Sequence, residues 1–396
     1  MGKFLFTWEL GGGLGHMMQI LPIARELVLR GHHAICALRD LSSAARVFDG
    51  QGITLLQAPV RVGPRQQAIA SPRSFAEILH NAGYAVELEL SGLAQAWRGL
   101  LEMVRPDVVI FDHSPTALWC SRGLAMRRVV IGSGFCVPPD VDPLPDLRPW
   151  QPPDRQRILN CEKAVVAKIN DILARWSCPP IERLGQLYSE VDDTFLLTFK
   201  ELDHYPNRPA AARYRGAWIR SEGATPQWPT GAGKRIYGYL KPFAGLPALL
   251  RHLKARGSPT LLFMERPDEV LIREFSSPAL HFEPLPLDLA AVARTCDLAI
   301  VHGTHGTTAS FLLAGKPTLQ LPLLLEQGIF AGAVARLGAA LQPPVERPDR
   351  IIADLERMLS EPAFGHAAHR FADRYVDFDP LAENQRMADR LESLVR

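Results

Sequence analysis

The chain has 396 residues, 47% of them hydrophobic, with 44 Lys and Arg against 42 Asp and Glu for a formal charge of +2. That length exceeds what one core commonly organises and predicts two domains, while the balanced charge lacks the basic footprint of a nucleic-acid binder. Cys36, Cys120, Cys136, Cys161, Cys178 and Cys296 show no C-x-x-C spacing and read as reduced thiols of a cytoplasmic protein; no leader pattern and no apolar run near about 18 residues is seen, so neither export nor a transmembrane anchor is expected, with peripheral membrane contact left open.

The first strand is predicted over 4–7, followed by Glu9-Leu-Gly-Gly-Gly-Leu-Gly-His16 and then Met17, Ile20, Leu21, Ala24, Leu27 and Val28 at helical spacing. Gly31 stops that helix and 34–38 forms the next strand, a βαβ opening with a glycine-rich turn. A dinucleotide reading of these glycines is weakened by the helix beginning at His16 and by Asp40 following Arg39. A helix over 41–51, a strand over 53–56 and a long helical region over 71–104 follow. Next, Val-Val-Ile-Phe runs into Asp112-His113-Ser114, a buried parallel-type strand ending in an acid. Functional groups of open α/β sheets sit at such strand ends; helix capping is the bland alternative for Asp112, local hydrogen bonding the bland one for His16, and His113 is read as facing solvent.

After a strand over 129–131 comes a proline-rich stretch, 137–153, read as an ordered surface loop. It contains Asp140-Val-Asp142, but a metal-binding D-x-D belongs at the end of an apolar strand, so no metal is expected there. Helices over 155–176 and 180–188 and strands over 195–199 and 215–219 close a domain predicted over 1–220. Residues 221–234 read as a linker. From 235 to 378 strands and helices alternate as in a doubly wound parallel sheet, and 379–396 is a final helix.

The most informative stretch of this second half is 296–340. An apolar strand over 298–301 passes through His302-Gly303-Thr304-His305-Gly306 into a helix over 307–313; a second strand follows over 318–321, and Glu326-Gln327 opens another helix. A strand feeding through small residues into a helix start aims unpaired N–H groups and the positive helix end at one spot, which suits an anion. No G-x-x-x-x-G-K-[ST] is present, so a P-loop is excluded. His302 and His305 lack a third ligand at zinc-like spacing, so no metal is expected here either.

In order and separation, His302, Gly303, Gly306, Thr307, Thr308, Glu326 and Gln327 resemble the donor half of GT-B glycosyltransferases of the UDP-glycosyltransferase type, with Thr304 where that family usually has a second glycine. Gly15-His16 and the Arg30-Gly31-His32 stop resemble the same family, with Gln19 where proline is common. The resemblance implies an α/β GT-B fold: two Rossmann-like doubly wound domains facing a cleft, acceptor on the N-terminal and nucleotide sugar on the C-terminal one, with the last helix returning to the N-terminal domain. It implies His16 as general base oriented by Asp112, and diphosphate binding at His302, Gly303, Gly306, Thr307 and Thr308. It further implies sugar contacts from Glu326 and Gln327, and the nucleotide base near Leu285. The implied activity is inverting, metal-independent transfer of a hexose from a UDP- or dTDP-sugar to a hydroxyl of a small hydrophobic, lipid or natural-product acceptor. No cofactor is expected beyond the nucleotide sugar as co-substrate. The same fold serves sugar-nucleotide epimerases and non-catalytic nucleotide-sugar binders, and these stay as alternatives.

Overall fold

The computed structural model describes residues 1–64, 67–209, 212–218, 223–265 and 268–395. The chain forms two compact units, one of residues 1–199, 205–216 and 379–396, the other of 200–204 and 217–378.

The first unit is built on strands β1 (Lys3–Trp8), β2 (His33–Leu38), β3 (Thr54–Gln57), β4 (Val108–Asp112), β5 (Arg127–Gly132) and β6 (Asp193–Leu196), hydrogen-bonded in the order β3-β2-β1-β4-β5-β6. Every pairing is parallel. Helices cover both faces of such a sheet, which is why its central strands are unbroken apolar runs: Phe4, Phe6, Val108, Ile110, Val129 and Ile131 all lie in one buried cluster. The order reverses direction between β1 and β4. Doubly wound sheets bind ligands outside the carboxyl ends of the strands at such a switch point.

The second unit repeats this plan with β7 (Ile236–Leu240), β8 (Thr260–Met264), β9 (Leu280–Glu283), β10 (Leu298–Val301), β11 (Thr318–Gln320) and β12 (Ala340–Leu341), in the order β12-β11-β10-β7-β8-β9. Its strands are again all parallel, and its switch point lies between β7 and β10.

The final helix, Pro380–Val395, belongs to the first unit. It lies along the helix Gly15–Leu29: Asn384 donates to the Pro22 carbonyl at 3.1 Å, and Arg30 pairs with Asp389 at 2.6 Å and Glu392 at 2.7 Å. Arg390 reaches Asp193 at the start of β6 at 2.6 Å.

Four local expectations change. The helical region 71–104 is two helices, Phe75–Leu79 and Glu87–Val104, joined by a wider turn over His80–Tyr84. Gly83 sits there at φ +115, where a Cβ would press on Leu93 at 2.9 Å, so a glycine makes the break. The helix expected over 180–188 shrinks to Gln186–Ser189 behind Pro179 and Pro180. The strand expected over 215–219 is absent from 215–218, a single bridge from Leu196 to Tyr214 standing near it, and Ile219 lies outside the described residues. Of the stretch read as a linker, 221 and 222 also lie outside. From Gly223 on it is fastened within the second unit, Ala224 exchanging bonds with Pro286 and Asp288 at 3.0 Å and Trp228 donating to Thr295 at 3.0 Å.

Candidate active site

In the first unit the switch point places Trp8, the last residue of β1, in register with Asp112, the last of β4. The turn leaving β1 uses Gly11 and Gly13 at φ +83 and +80, and delivers His16 to the first turn of the helix Gly15–Leu29. There His16 Nδ1 lies 2.9 Å from Asp112 Oδ2, and Asp112 is wholly buried. Trp8 stacks on the imidazole at 5.1 Å with an interplanar angle of 24°. A buried carboxylate on Nδ1 selects the tautomer protonated there and leaves the Nε2 lone pair to accept a proton.

His113 departs from expectation. It is 6% exposed rather than solvent-facing, takes φ +45, and lies 5.7 Å from the His16 ring. Burial, and then the charges of His16 and Arg39, hold it down at about 3, so it is neutral at physiological pH. Asp140 of the discounted D-x-D is spent on Arg183 at 2.5 Å and Ser189 at 2.6 Å.

Glu9 was not singled out from sequence, because an acid one residue past a strand ordinarily faces water. It is 4% exposed and accepts from the Thr116 backbone at 3.0 Å, from Ala117 at 3.4 Å and from the Thr116 hydroxyl. Beyond Thr116 the chain of bonds continues to the Tyr84 hydroxyl at 2.8 Å and Trp119 Nε1 at 2.9 Å. Burial raises the carboxyl from 4.5 to about 8, against the lowering effect of the Thr116 and Ala117 bonds and Arg39. An acid raised in the folded state stabilises the fold while it is protonated. That stability is full below about 4.5, declines as pH climbs towards about 8 and is gone above it, a change of about 3–5 kcal/mol in all. Denaturant unfolding of wild type between pH 5 and 8 is therefore expected to show a falling component that Glu9→Gln lacks; parallel profiles would refute the assignment.

In the second unit β10 ends at Val301 and the chain turns through His302, Gly303 at φ +71 and Thr304 into the helix His305–Leu313. Thr304 is extended, φ −72 and ψ 126, so no glycine is needed where the resembled family has one. Gly306 and Thr307, the second and third helical residues, have no intrahelical acceptor for their N–H groups. The Thr304 hydroxyl beside them is buried without a partner among the described residues.

Two of the residues expected at the diphosphate have polar groups engaged within the second unit. His302 is 3% exposed and both its nitrogens are occupied: Nδ1 donates to the Leu321 carbonyl at 2.5 Å, and Nε2 accepts from the Lys241 backbone at 2.7 Å. Burial holds it below the ordinary imidazole range, so it stays neutral and ties together the ends of β7, β10 and β11 instead of offering a proton to an anion. Thr308 is fully buried, its N–H bonded to the Thr304 carbonyl at 3.0 Å and its hydroxyl near Gln320 Nε2 at 3.4 Å. Its backbone donor is consumed by the helix itself.

Glu326 and Gln327 lie in the first turn of the helix Leu325–Arg336. Leu324 has no polar side chain to cap that helix, and Gln327 Oε1 serves by accepting from Leu323 at 2.8 Å and Leu324 at 3.1 Å. The pair is close to the phosphate-type turn, since a Cβ on Gly303 would meet the Gln327 carbonyl at 2.7 Å. Leu285, just past β9, is 63% exposed. The Lys241 side chain lies 3.9 Å from Glu265, an exposed pair of little energetic weight. No helix among the described residues is long and apolar enough to cross a membrane.

No family model matches the chain. It is 45% identical over 85 residues to the elloramycin glycosyltransferase of Streptomyces olivaceus, 22% of this chain and 21% of that one. It is 25% identical over 317 residues to a PGL/p-HBAD biosynthesis glycosyltransferase of Mycobacterium tuberculosis, 74% of this chain and 73% of the relative. The first of these matches thus spans about a fifth of the curated relative's length. Among solved structures, the calicheamicin glycosyltransferase superposes with a TM-score of 0.74 at 16% identity, covering 100% of this chain and 98% of its own. A glycosyltransferase in complex with dTDP gives 0.65 at 17% identity, covering 98% and 99%. Those likenesses span the whole chain, and the fold is GT-B.

Proposed function

We propose that this chain, of GT-B fold and similar in sequence to glycosyltransferases, transfers a sugar from a nucleoside-diphosphate sugar to a hydroxyl of a small hydrophobic, lipid or natural-product acceptor, with inversion. The observation that carries the proposal is the pairing of His16 with the buried Asp112 at 2.9 Å at a switch point of the first sheet. An alcohol attacks poorly until its proton is accepted in the transition state, and an imidazole oriented on Nδ1 accepts at Nε2. As the acceptor oxygen bonds to the anomeric carbon, the bond from that carbon to the diphosphate breaks and the nucleoside diphosphate departs as an anion.

The second unit supplies the leaving-group site. Its donors are the N–H groups of Gly306 and Thr307, which have no intrahelical acceptor, with the Thr304 hydroxyl, at the positive end of the helix His305–Leu313, where developing charge is stabilised. Glu326, and the amide nitrogen of Gln327 left over from its capping role, are assigned to the sugar hydroxyls. Leu285 is assigned to the nucleotide base. The complex of a similar fold with dTDP and the names of the sequence relatives favour a UDP- or dTDP-linked donor and a natural-product acceptor.

Thermal unfolding with UDP, dTDP and GDP tests the donor half. A cognate nucleotide at 100 times its dissociation constant is expected to stabilise by about 2.7 kcal/mol, and stabilisation by none of the three would sink the reading. Product analysis then separates the alternatives: an epimerase alters the donor sugar with no acceptor present, and a binding module shows the thermal shift without turnover.

A further inference from the structure

Three potential metal ligands converge beside the proposed base. His16, His113 and Cys136 each offer one ligand atom, and these atoms all lie within 4.8 Å of one another. The convergence has a visible cause in the glycine-rich turn. A methyl group built on Gly11 would lie 2.7 Å from His16 Nε2 and 3.3 Å from His113 Nδ1, so both nitrogens face one point that only the absence of a side chain keeps open. Across from it, Gly132 at φ +139 brings Cys136 alongside Asp112: a Cβ there would lie 3.1 Å from Cys136 Cβ and 3.2 Å from Asp112 Oδ1.

The state of His113 makes this cluster unusual. Both its ring nitrogens are buried and, a weak contact with the Leu10 backbone aside, lack a well-formed hydrogen bond among the described residues, and its backbone occupies the left-handed region. Buried polar atoms are nearly always paired, and one that is not calls for an explanation. A neutral imidazole is also the form in which histidine ligates metal. Asp112 already accepts from His16 Nδ1, and a carboxylate behind a histidine in this way is the arrangement that orients metal-ligating imidazoles and raises their basicity.

We propose that His16 Nε2, a ring nitrogen of His113 and the Cys136 thiolate form a binding site for a thiophilic divalent cation of the zinc type, whose occupation blocks the base. Zinc bonds of about 2.0–2.1 Å to nitrogen and 2.3 Å to sulfur put tetrahedral ligand atoms roughly 3.5 Å apart. Side-chain rotations that close the present spacing by about 1 Å meet that requirement. On binding, the Cys136 thiol gives its proton to solvent and a metal–sulfur bond forms. No electron is transferred, and a water completes the fourth position. The site stands on its own geometry, while its effect on turnover rests on His16 acting as the base.

The test is cobalt and zinc titration of the full chain. One equivalent of Co²⁺ is expected to give a thiolate-to-cobalt charge-transfer band, discharged by one equivalent of Zn²⁺. Asp112→Asn is expected to weaken Zn²⁺ binding, measured against a chromophoric chelator, by about 10- to 100-fold, and His113→Ala by at least as much. Cys136→Ser is expected to abolish the band while retaining the wild-type unfolding midpoint. Absence of the band in wild type overturns the site. So does a band that survives in Cys136→Ser, which would place the metal on another thiol such as Cys161 or Cys178. Stoichiometric zinc binding without loss of sugar transfer leaves the site standing and overturns its blocking of the base.

Discussion

His16→Ala is expected to lower kcat for sugar transfer by about 10²–10⁴-fold, the usual contribution of a positioned general base. Asp112→Asn is expected to fall between that variant and wild type, because an amide in place of the carboxylate no longer selects the tautomer protonated on Nδ1 or stabilises the imidazolium that forms. Both residues belong to the first unit, so nucleotide binding, read by thermal shift, is expected to stay within error of wild type. That split between kcat and donor affinity distinguishes a lost base from a damaged fold. Near wild-type turnover in His16→Ala would end the assignment, and equal losses of turnover and nucleotide binding would move both residues into a structural role.

Gly303→Val is expected to have the largest effect on the second unit. The position has φ +71, a region that costs a residue with a side chain about 1–2 kcal/mol. The new Cβ would also lie 2.7 Å from the Gln327 carbonyl, backbone that cannot turn aside as a side-chain tip does. Together these predict a loss of about 2–4 kcal/mol in unfolding free energy. Relief of the contact must part the turn from the first turn of the helix Leu325–Arg336, which carries Glu326 and Gln327. Nucleotide affinity is accordingly expected to fall by about tenfold or more. Denaturant unfolding and nucleotide titration of the same preparation check the two effects. Wild-type affinity in a destabilised protein would separate this turn from the ligand.

Much of the architecture was legible along the chain because parallel strands buried on both faces are written as unbroken apolar runs. The runs in β1, β4 and β10 stand out for that reason, and the glycines after β1 and β10 mark where the chain must turn. The helix over 71–104 misled because its apolar spacing continues through a glycine whose positive φ depends on what packs around it. The partners of His302 were hidden for another reason. Its place after a strand and before a helix is a local fact, but the two backbone groups that occupy it come from Lys241 and Leu321, on neighbouring strand ends.

The sequence by itself determined two doubly wound parallel sheets, a glycine-histidine turn after the first strand, an acid at the end of the fourth and an anion-type turn at the start of a later helix. These are local properties of hydrophobic period, backbone freedom and strand-end position. Only the tertiary structure decided which polar groups meet. It put His16 and Asp112, 96 residues apart, at 2.9 Å. It turned Glu9 inward to Thr116, buried His113 among aromatic rings beside His16, and consumed the hydrogen-bonding capacity of His302 within the sheet ends. Hydrogen bonding and desolvation act over a few ångströms of space whatever the separation in sequence, so the chemical state of each of these groups is set by neighbours that only the folded chain brings near.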